Sequence, residues 1–191
     1  MRVQVGVMGS AGGRMRKDVR ERAREVGRAI AEHDCVLVTG ACPGLPYEAV
    51  CGCKGAGGLT AGISPALDLY EHKNRYESPF EEFDVMIYTG DGLMGREVTG
   101  IRSCDIVVLI GGRSGTLGEF AIAYDEAKVI GVLSGSGGVA DHVDELVAII
   151  NKKTGAQLVF DEDPRRLMDG LMKVYEKNRG KLPARLTRRE E

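Results

Sequence analysis

The run Asp105-Ile-Val-Val-Leu-Ile110, followed at once by Gly111-Gly-Arg-Ser-Gly115, constrains this chain more than any other feature. Apolar residues with no polar interruption read as a strand buried on both faces, the mark of a parallel sheet covered by helices. Beyond the glycines, residues 116–127 have the length and composition of a helix. A glycine turn between a strand and a helix N-terminus leaves backbone N–H groups facing open space, with the positive end of the helix dipole behind them. Such a place binds phosphate. Glu119 stands one turn into the helix, beside whatever the loop holds. A simple helix cap is the plain alternative, but Gly111, Gly112 and Gly115 with Ser114 and Thr116 exceed what a cap requires.

The same alternation runs along the whole chain. Strands are predicted at 3–8, 35–38, 58–63, 83–88, 106–110, 129–133 and 158–160, and helices at 16–32, 46–54, 93–103, 116–127, 140–152 and 164–177. In the first helix Val19, Ala23, Val26 and Ile30 recur at spacings of 4, 3 and 4, which makes one apolar stripe. Leu167, Leu171 and Val174 do the same in the closing helix. Residues 68–82 show no clean period and are expected to form an exposed loop. Strands separated by helices of this length are βαβ units. The expected fold class is therefore α/β, a Rossmann-like three-layer sandwich with a mostly parallel sheet and helices on both faces. A single phosphate-binding domain is expected over residues 1–179, with a charged tail at 180–191 that frays.

Composition excludes some classes of partner. A chain of 191 residues is long enough to bury a substantial core. The formal net charge of -2 gives no general reason to expect nucleic acid or an anionic membrane. Arg14, Arg16, Lys17, Arg20, Arg22, Arg24 and Arg28 alternate with Asp18, Glu21 and Glu25, which reads as a solvated helix face. Residues 1–7 read as a first strand and not as a cleavable leader, and no apolar run approaches the ~20 residues of a membrane span. A cytoplasmic protein is expected. Cys42, Cys51 and Cys53 lack the spacing of a zinc knuckle, and His33, His72 and His142 lie elsewhere, so reduced thiols and no metal site are expected.

On such a sheet ligands bind beyond the carboxyl ends of the strands. Four glycine turns follow predicted strands and converge there: Gly9-Ser-Ala-Gly-Gly13, Gly40-Ala-Cys-Pro-Gly44, Gly90-Asp-Gly92 and the 111–115 turn. The first lacks the full G-x-G-x-x-G spacing, and the second strand ends in Thr39-Gly40, where an NAD enzyme would place an acidic residue. Nor is there a Gly-Lys-Ser/Thr for a P-loop. The sequence thus describes a phosphate site of neither standard kind.

Gly111-Gly-Arg-Ser-Gly-Thr-Leu-Gly-Glu119 resembles the GG-x-GT-x-x-E signature of the LOG-type proteins, a Rossmann-like superfamily once labelled lysine decarboxylases. Thr39-Gly-Ala-Cys-Pro-Gly-Leu-Pro-Tyr-Glu-Ala-Val50 and Gly55-Ala-Gly-Gly-Leu-Thr-Ala-Gly-Ile-Ser-Pro65 are similar to the family's glycine loop, helix and proline-ended strand. Arg96 matches the arginine that precedes the signature strand. Arg96-Glu97 stands where the cytokinin-activating phosphoribohydrolases of the family carry Arg-Lys, Ile110-Gly-Gly replaces their Pro-Gly-Gly, and the turn is longer. These features look more like the sister branch that contains the molybdenum-cofactor carrier protein.

The resemblance implies a small phosphate-bearing ligand, a nucleoside monophosphate or a pterin-type phosphate, with no other cofactor required. Together with the converging turns it points to Gly9, Ser10, Gly40, Gly44, Gly111, Gly112, Arg113, Ser114, Gly115 and Thr116 as the binding residues. A hydrolase of this kind would break the N-glycosidic bond through an oxocarbenium-like transition state. Glu119 would stabilise the sugar cation or position water, and Arg96 would clamp phosphate or ribose. A carrier would hold the same ligand without turnover, Glu119 then serving as a hydrogen-bond acceptor. Pyridoxal-phosphate chemistry has no lysine in a Schiff-base context. The resemblance also implies homo-oligomers, a dimer or a tetramer, and Phe120, Ile122 and Tyr124 on more than one face of the signature helix permit them. Ligand specificity is expected from the 64–82 loop, where His72, Lys73, Asn74, Arg75 and Tyr76 offer donors.

Overall fold

Every residue of β5 (Ile106–Ile110) is buried, as its unbroken apolar run requires. It pairs with β1 (Gln4–Gly9), Val7 opposite Val108. On the far side of β1 lie β2 (Val36–Thr39), β3 (Leu59–Ser64) and β4 (Val85–Tyr88); beyond β5 lie β6 (Val129–Leu133) and β7 (Gln157–Asp161). The order is β4-β3-β2-β1-β5-β6-β7 and every pairing is parallel, so the expected Rossmann-like sheet is parallel throughout. The computed structural model describes residues 1–178; the expected tail at 180–191 lies outside the described residues.

Side chains alternate across the sheet as the pleat demands. Val5, Val7, Leu37, Val108 and Ile110 face a layer made by α1 (Lys17–Glu32), α2 (Leu45–Gly55) and α7 (Pro164–Asn178). Short α3 (Leu69–Asn74) follows β3. The opposite layer comprises α4 (Gly92–Arg102), α5 (Ser114–Asp125), a 3₁₀ turn at Gly138–His142 and α6 (Val143–Ile150), packed on Met8, Val38, Val107 and Val132. The predicted stripe of Val19, Ala23, Val26 and Ile30 is buried. Phe120 and Tyr124, read from sequence as permitting an oligomer, belong to the core instead.

Helices α1 and α2 approach until backbone meets backbone. A Cβ on Gly27 would collide with the Ala49 carbonyl, and one on Gly52 with that of Arg24. Alongside, the buried Glu48 carboxylate accepts from Arg20 Nε at 2.7 Å and Arg24 Nε at 2.5 Å. Burial alone would raise the Glu48 carboxyl; the hydrogen bonds from Arg24 and Arg20 outweigh it and hold it below its ordinary value. The arginines of α1 are thus more than a solvated face. Arg22 also donates to the Ser134 and Gly135 carbonyls, at 2.9 and 2.7 Å, and ties down the loop after β6.

Two expectations are corrected. The 68–82 segment is not simply an exposed loop: Asp68 caps α3 by accepting from Glu71 N, and His72 is wholly buried. Because the Pro79 carbonyl can only accept, His72 Nε2 donates to it at 3.1 Å, and Nδ1 accepts from Ser64 Oγ at 2.8 Å. His72 therefore pins the segment and is not available to a ligand. The single helix expected at 140–152 is also broken. Val139 N and Ala140 N donate to the Gly112 and Gly111 carbonyls, which tightens the chain into 3₁₀ geometry before α6 begins.

The glycine crossing yields a contrast. Gly27→Ala is expected to destabilise the fold by about 1–3 kcal/mol through overpacking. Gly55→Ala, where an added Cβ meets nothing within 4 Å, should be neutral or stabilising by up to about 1 kcal/mol. Urea denaturation of the two variants checks this; equal effects would refute the account of the crossing.

Candidate functional site

Strand order reverses between β1 and β5, and the chain leaves their ends toward opposite helical layers. The crevice so formed is where open parallel sheets take ligands. Its floor is a knot of loops. Gly9 admits no side chain, because a Cβ there would strike the Ile110 carbonyl. Ser10 Oγ accepts from Gly112 N at 2.8 Å, and Ser136 Oγ accepts from Gly111 N at 2.8 Å. The Ser10 carbonyl accepts from Leu45 N at 2.9 Å, which draws the Gly40–Gly44 turn onto the first one. Gly111 and Gly112 hold φ of 62° and 107°, in the region that favours glycine.

These bonds change part of the expected donor set. The N–H groups of Gly111 and Gly112, and the Ser10 hydroxyl that accepts one of them, serve the protein itself. The turn of α5 beyond them is open: no side chain caps it, and Ser114, Gly115 and Thr116 are its first residues. By helix geometry their N–H groups have no intrahelical acceptor. Arg113, which precedes them, lies across Gly13, where its guanidinium occupies the place of a side chain. On the α1 side of the knot a cavity of about 210 Å³ is bounded by Ser10, Arg14, Arg16, Gly111 and Gly138. Arg14 and Arg16 were read only as part of a solvated face.

On the other side of the knot, α4 and α5 bring Arg96 and Glu119 together, Nη1 to Oε1 at 3.3 Å, with both side chains less than a tenth exposed. Arg96 lies flat on Gly40, whose missing side chain makes room for the guanidinium. That is why Gly40 is glycine: its function is contact with Arg96. Arg96 Nε is buried and has no hydrogen-bond partner among the described residues. Burial pushes the Glu119 carboxyl up to about 7; Arg96 pulls it down and Glu97 raises it further. Burial also raises the neighbouring Glu97 carboxyl, against the pull of Arg96.

The structure thus gathers Gly9, Ser10, Gly40, Gly44 and the 111–116 turn with Arg96 and Glu119 at one edge of the sheet. Gly90-Asp-Gly92 ends β4, farther from the crevice. Sequence reasoning missed Cys42, Ser136 and the packing of Glu97. Cys42 is partly buried in the field of Arg96 and Glu119, and burial pushes its thiol up to about 11. Ser136 had a visible signal, because Gly135-Ser-Gly-Gly138 is a further glycine turn after a strand. Among the described residues no group of three or more His, Cys, Asp or Glu could hold a metal ion, and no helix is long and apolar enough to cross a membrane.

Comparison with known proteins agrees with this architecture. The molybdenum cofactor binding protein of Rippkaea orientalis is 28% identical, with a TM-score of 0.75 over 91% of this chain and 98% of that one. The molybdenum cofactor carrier protein of Chlamydomonas reinhardtii is 24% identical, with a TM-score of 0.75 over 92% and 99%. DNA processing protein A of Helicobacter pylori is 21% identical, with a TM-score of 0.62 over 91% and 81%. The last two likenesses concern the fold alone. An uncharacterised protein of Archaeoglobus fulgidus is 33% identical over 132 residues, 69% of this chain and 80% of that protein. The resemblance to the carrier-like branch of the LOG-type superfamily is borne out. A family model matches residues 2–168, and the chain belongs to the SLOG cluster4 family.

Proposed function

We propose that this chain is a carrier-type protein that binds a small phosphate-bearing ligand of nucleotide or pterin type at the β1–β5 crevice. The observation that carries the reading is the uncapped first turn of α5 beside the buried Arg96–Glu119 pair. The phosphate lies against the N–H groups of residues 114–116, in the positive field of the helix, with Arg113 beside it. The remainder of the ligand lies toward Arg96 and Glu119. The likeness to a molybdenum cofactor binding protein at 28% identity supports a pterin-type phosphate. The donors present fit the phosphate of such a group: the open amides of the first turn of α5 suit an anion. Molybdenum chemistry, where present, belongs to the bound cofactor. The chain itself supplies binding and orientation.

Hydrolysis of a nucleoside monophosphate is a second reading, favoured by one observation. Glu119 titrates near neutrality, as a group that gives and takes a proton should. Incubation with nucleoside monophosphates separates the two readings. Free base and ribose 5-phosphate that vanish in Glu119→Gln support the hydrolase, and binding without release supports the carrier. A cytoplasmic homo-oligomer goes with either. Val85, Ile87, Leu93, Met94, Val98 and Leu117, exposed on β4, α4 and α5, suit contact with a second copy of the chain. Light scattering that finds only monomer would remove that part.

For binding, titration calorimetry with a pterin phosphate or a nucleoside monophosphate is expected to show saturable uptake that Arg96→Ala weakens at least about tenfold. No uptake of any phosphate ligand would overturn the proposal. A pH test follows from Glu119. Folding raises its carboxyl from 4.5 to about 7, so its contribution to stability is complete below about pH 4.5 and lost as pH rises through about 7. Relative to the isosteric, non-ionising Glu119→Gln, the natural chain should lose up to about 3 kcal/mol of stability between about pH 5 and 8. Denaturation series of both proteins across that range measure it; parallel curves would show that Glu119 is not held protonated.

A further inference from the structure

The cavity of about 210 Å³ lies across the knot from Arg96 and Glu119, on the α1 side. Two hydroxyls line it, Ser10 from the loop after β1 and Ser136 from the loop after β6. Each oxygen accepts from a backbone amide, Gly112 N for Ser10 and Gly111 N for Ser136, and Ser136 is only 8% exposed. Accepting leaves the hydroxyl proton uncommitted, and among the described residues neither hydroxyl donates to an acceptor. A hydroxyl that accepts an N–H is also the stronger donor. Because the two amides are consecutive in the chain, the two O–H donors hang from neighbouring points of one wall.

Charge around the cavity favours an anion. Arg14, also in the wall, makes no hydrogen bond and no ion pair among the described residues. Arg16 is already engaged: it holds the Asp18 carboxylate at 2.8 Å and donates to the Gly135 carbonyl at 3.0 Å. Asp141, the other carboxylate nearby, accepts from Gly137 N at 2.9 Å. Arg22, on the Gly135 carbonyl at 2.7 Å, tips the balance, so Arg14, Arg16 and Arg22 outnumber Asp18 and Asp141. Helix α1 starts here without a side-chain cap, and Arg16 and Val19 of its first turn are in the wall. The positive end of a 16-residue helix adds to the same field. Convergent O–H donors and an uncommitted guanidinium call for several acceptor oxygens on one negative group. A phosphoryl group offers three.

We propose that this cavity is a second anion site, separate from the turn at 114–116, which takes a phosphoryl group through the Ser10 and Ser136 hydroxyls and Arg14. The test follows backbone amide shifts of the isotope-labelled full chain by NMR, titrated with inorganic phosphate and with ribose 5-phosphate. Sodium chloride holds the ionic strength constant. The amides of residues 14–19 and 136–138 are expected to move together and to saturate. The tighter of the two ligands shows whether the group arrives free or on a small ester. Arg14→Ala breaks no hydrogen bond or ion pair among the described residues, and thermal melting confirms its fold. It should weaken saturation at those amides about tenfold or more, while any response at 114–116 stays within about twofold. No saturable shift at 14–19 and 136–138 overturns the proposal. So does the same shift with sodium chloride alone, or an Arg14→Ala variant that binds as tightly as the natural chain. A response confined to 114–116 defeats this proposal and leaves the crevice reading standing. A response confined to 14–19 and 136–138 supports the cavity site and counts against phosphate at the crevice.

Discussion

Two short hydrogen bonds hold the functional edge of this protein in one shape: Gly112 N to Ser10 Oγ and Gly111 N to Ser136 Oγ. They join the loops after β1, β5 and β6, and each satisfies a buried backbone donor that would otherwise be orphaned. The left-handed backbone of the two glycines turns their amides inward to these hydroxyls and directs the chain outward into α5. The uncapped turn of α5, the cavity on the α1 side and the break before α6 all follow from that knot. Loss of either hydroxyl would loosen three loops at once.

Beside the knot the protein tolerates an unfavourable electrostatic arrangement. Glu119 pairs with Arg96, the equally buried Glu97 beside them has no ion pair among the described residues, and Arg96 Nε has no hydrogen-bond partner among them either. Structural ion pairs are usually better satisfied. Glu48, held by Arg20 and Arg24, shows what this same chain does when the purpose is only to join helices. The contrast between the two carboxylate environments sets the α4–α5 side apart from an ion-pair network that only joins helices.

Much of this was legible in the residues. The strands and the stripe of α1 are long enough for their periodicity to outweigh local noise, and the glycine turns announce the edge where they meet. The resemblance to the LOG-type proteins singled out Glu119 in the 111–119 signature and Arg96 ahead of its strand, each for a ligand; that they pair with one another came only from the structure. What escaped was non-local. The expected phosphate donors Gly111 and Gly112 are consumed by hydroxyls 25 and 102 positions away. His72 looked like a loop residue because one buried side chain has no period, and its burial depends on Ser64 and the Pro79 carbonyl. Glu97 looked like a charge near a phosphate, and only the packing of α4 on α5 shows that Gly115 and Gly118 take it in.

The pairing of β1 with β5 also sets when in the life of the chain the site can exist. Gln4 N donates to the Asp105 carboxylate across 101 positions, and nothing nearer in sequence can take that place at the centre of the sheet. Closing so long a loop carries an entropic penalty that is recovered only once both strands and their helices are in place. During synthesis the first hundred residues can assemble β1 to β4, yet the crevice has only one wall until β5 emerges. The crevice is therefore completed by the late-forming part of the molecule, and any group that bridged its two walls would also act as a clasp on that long-range contact.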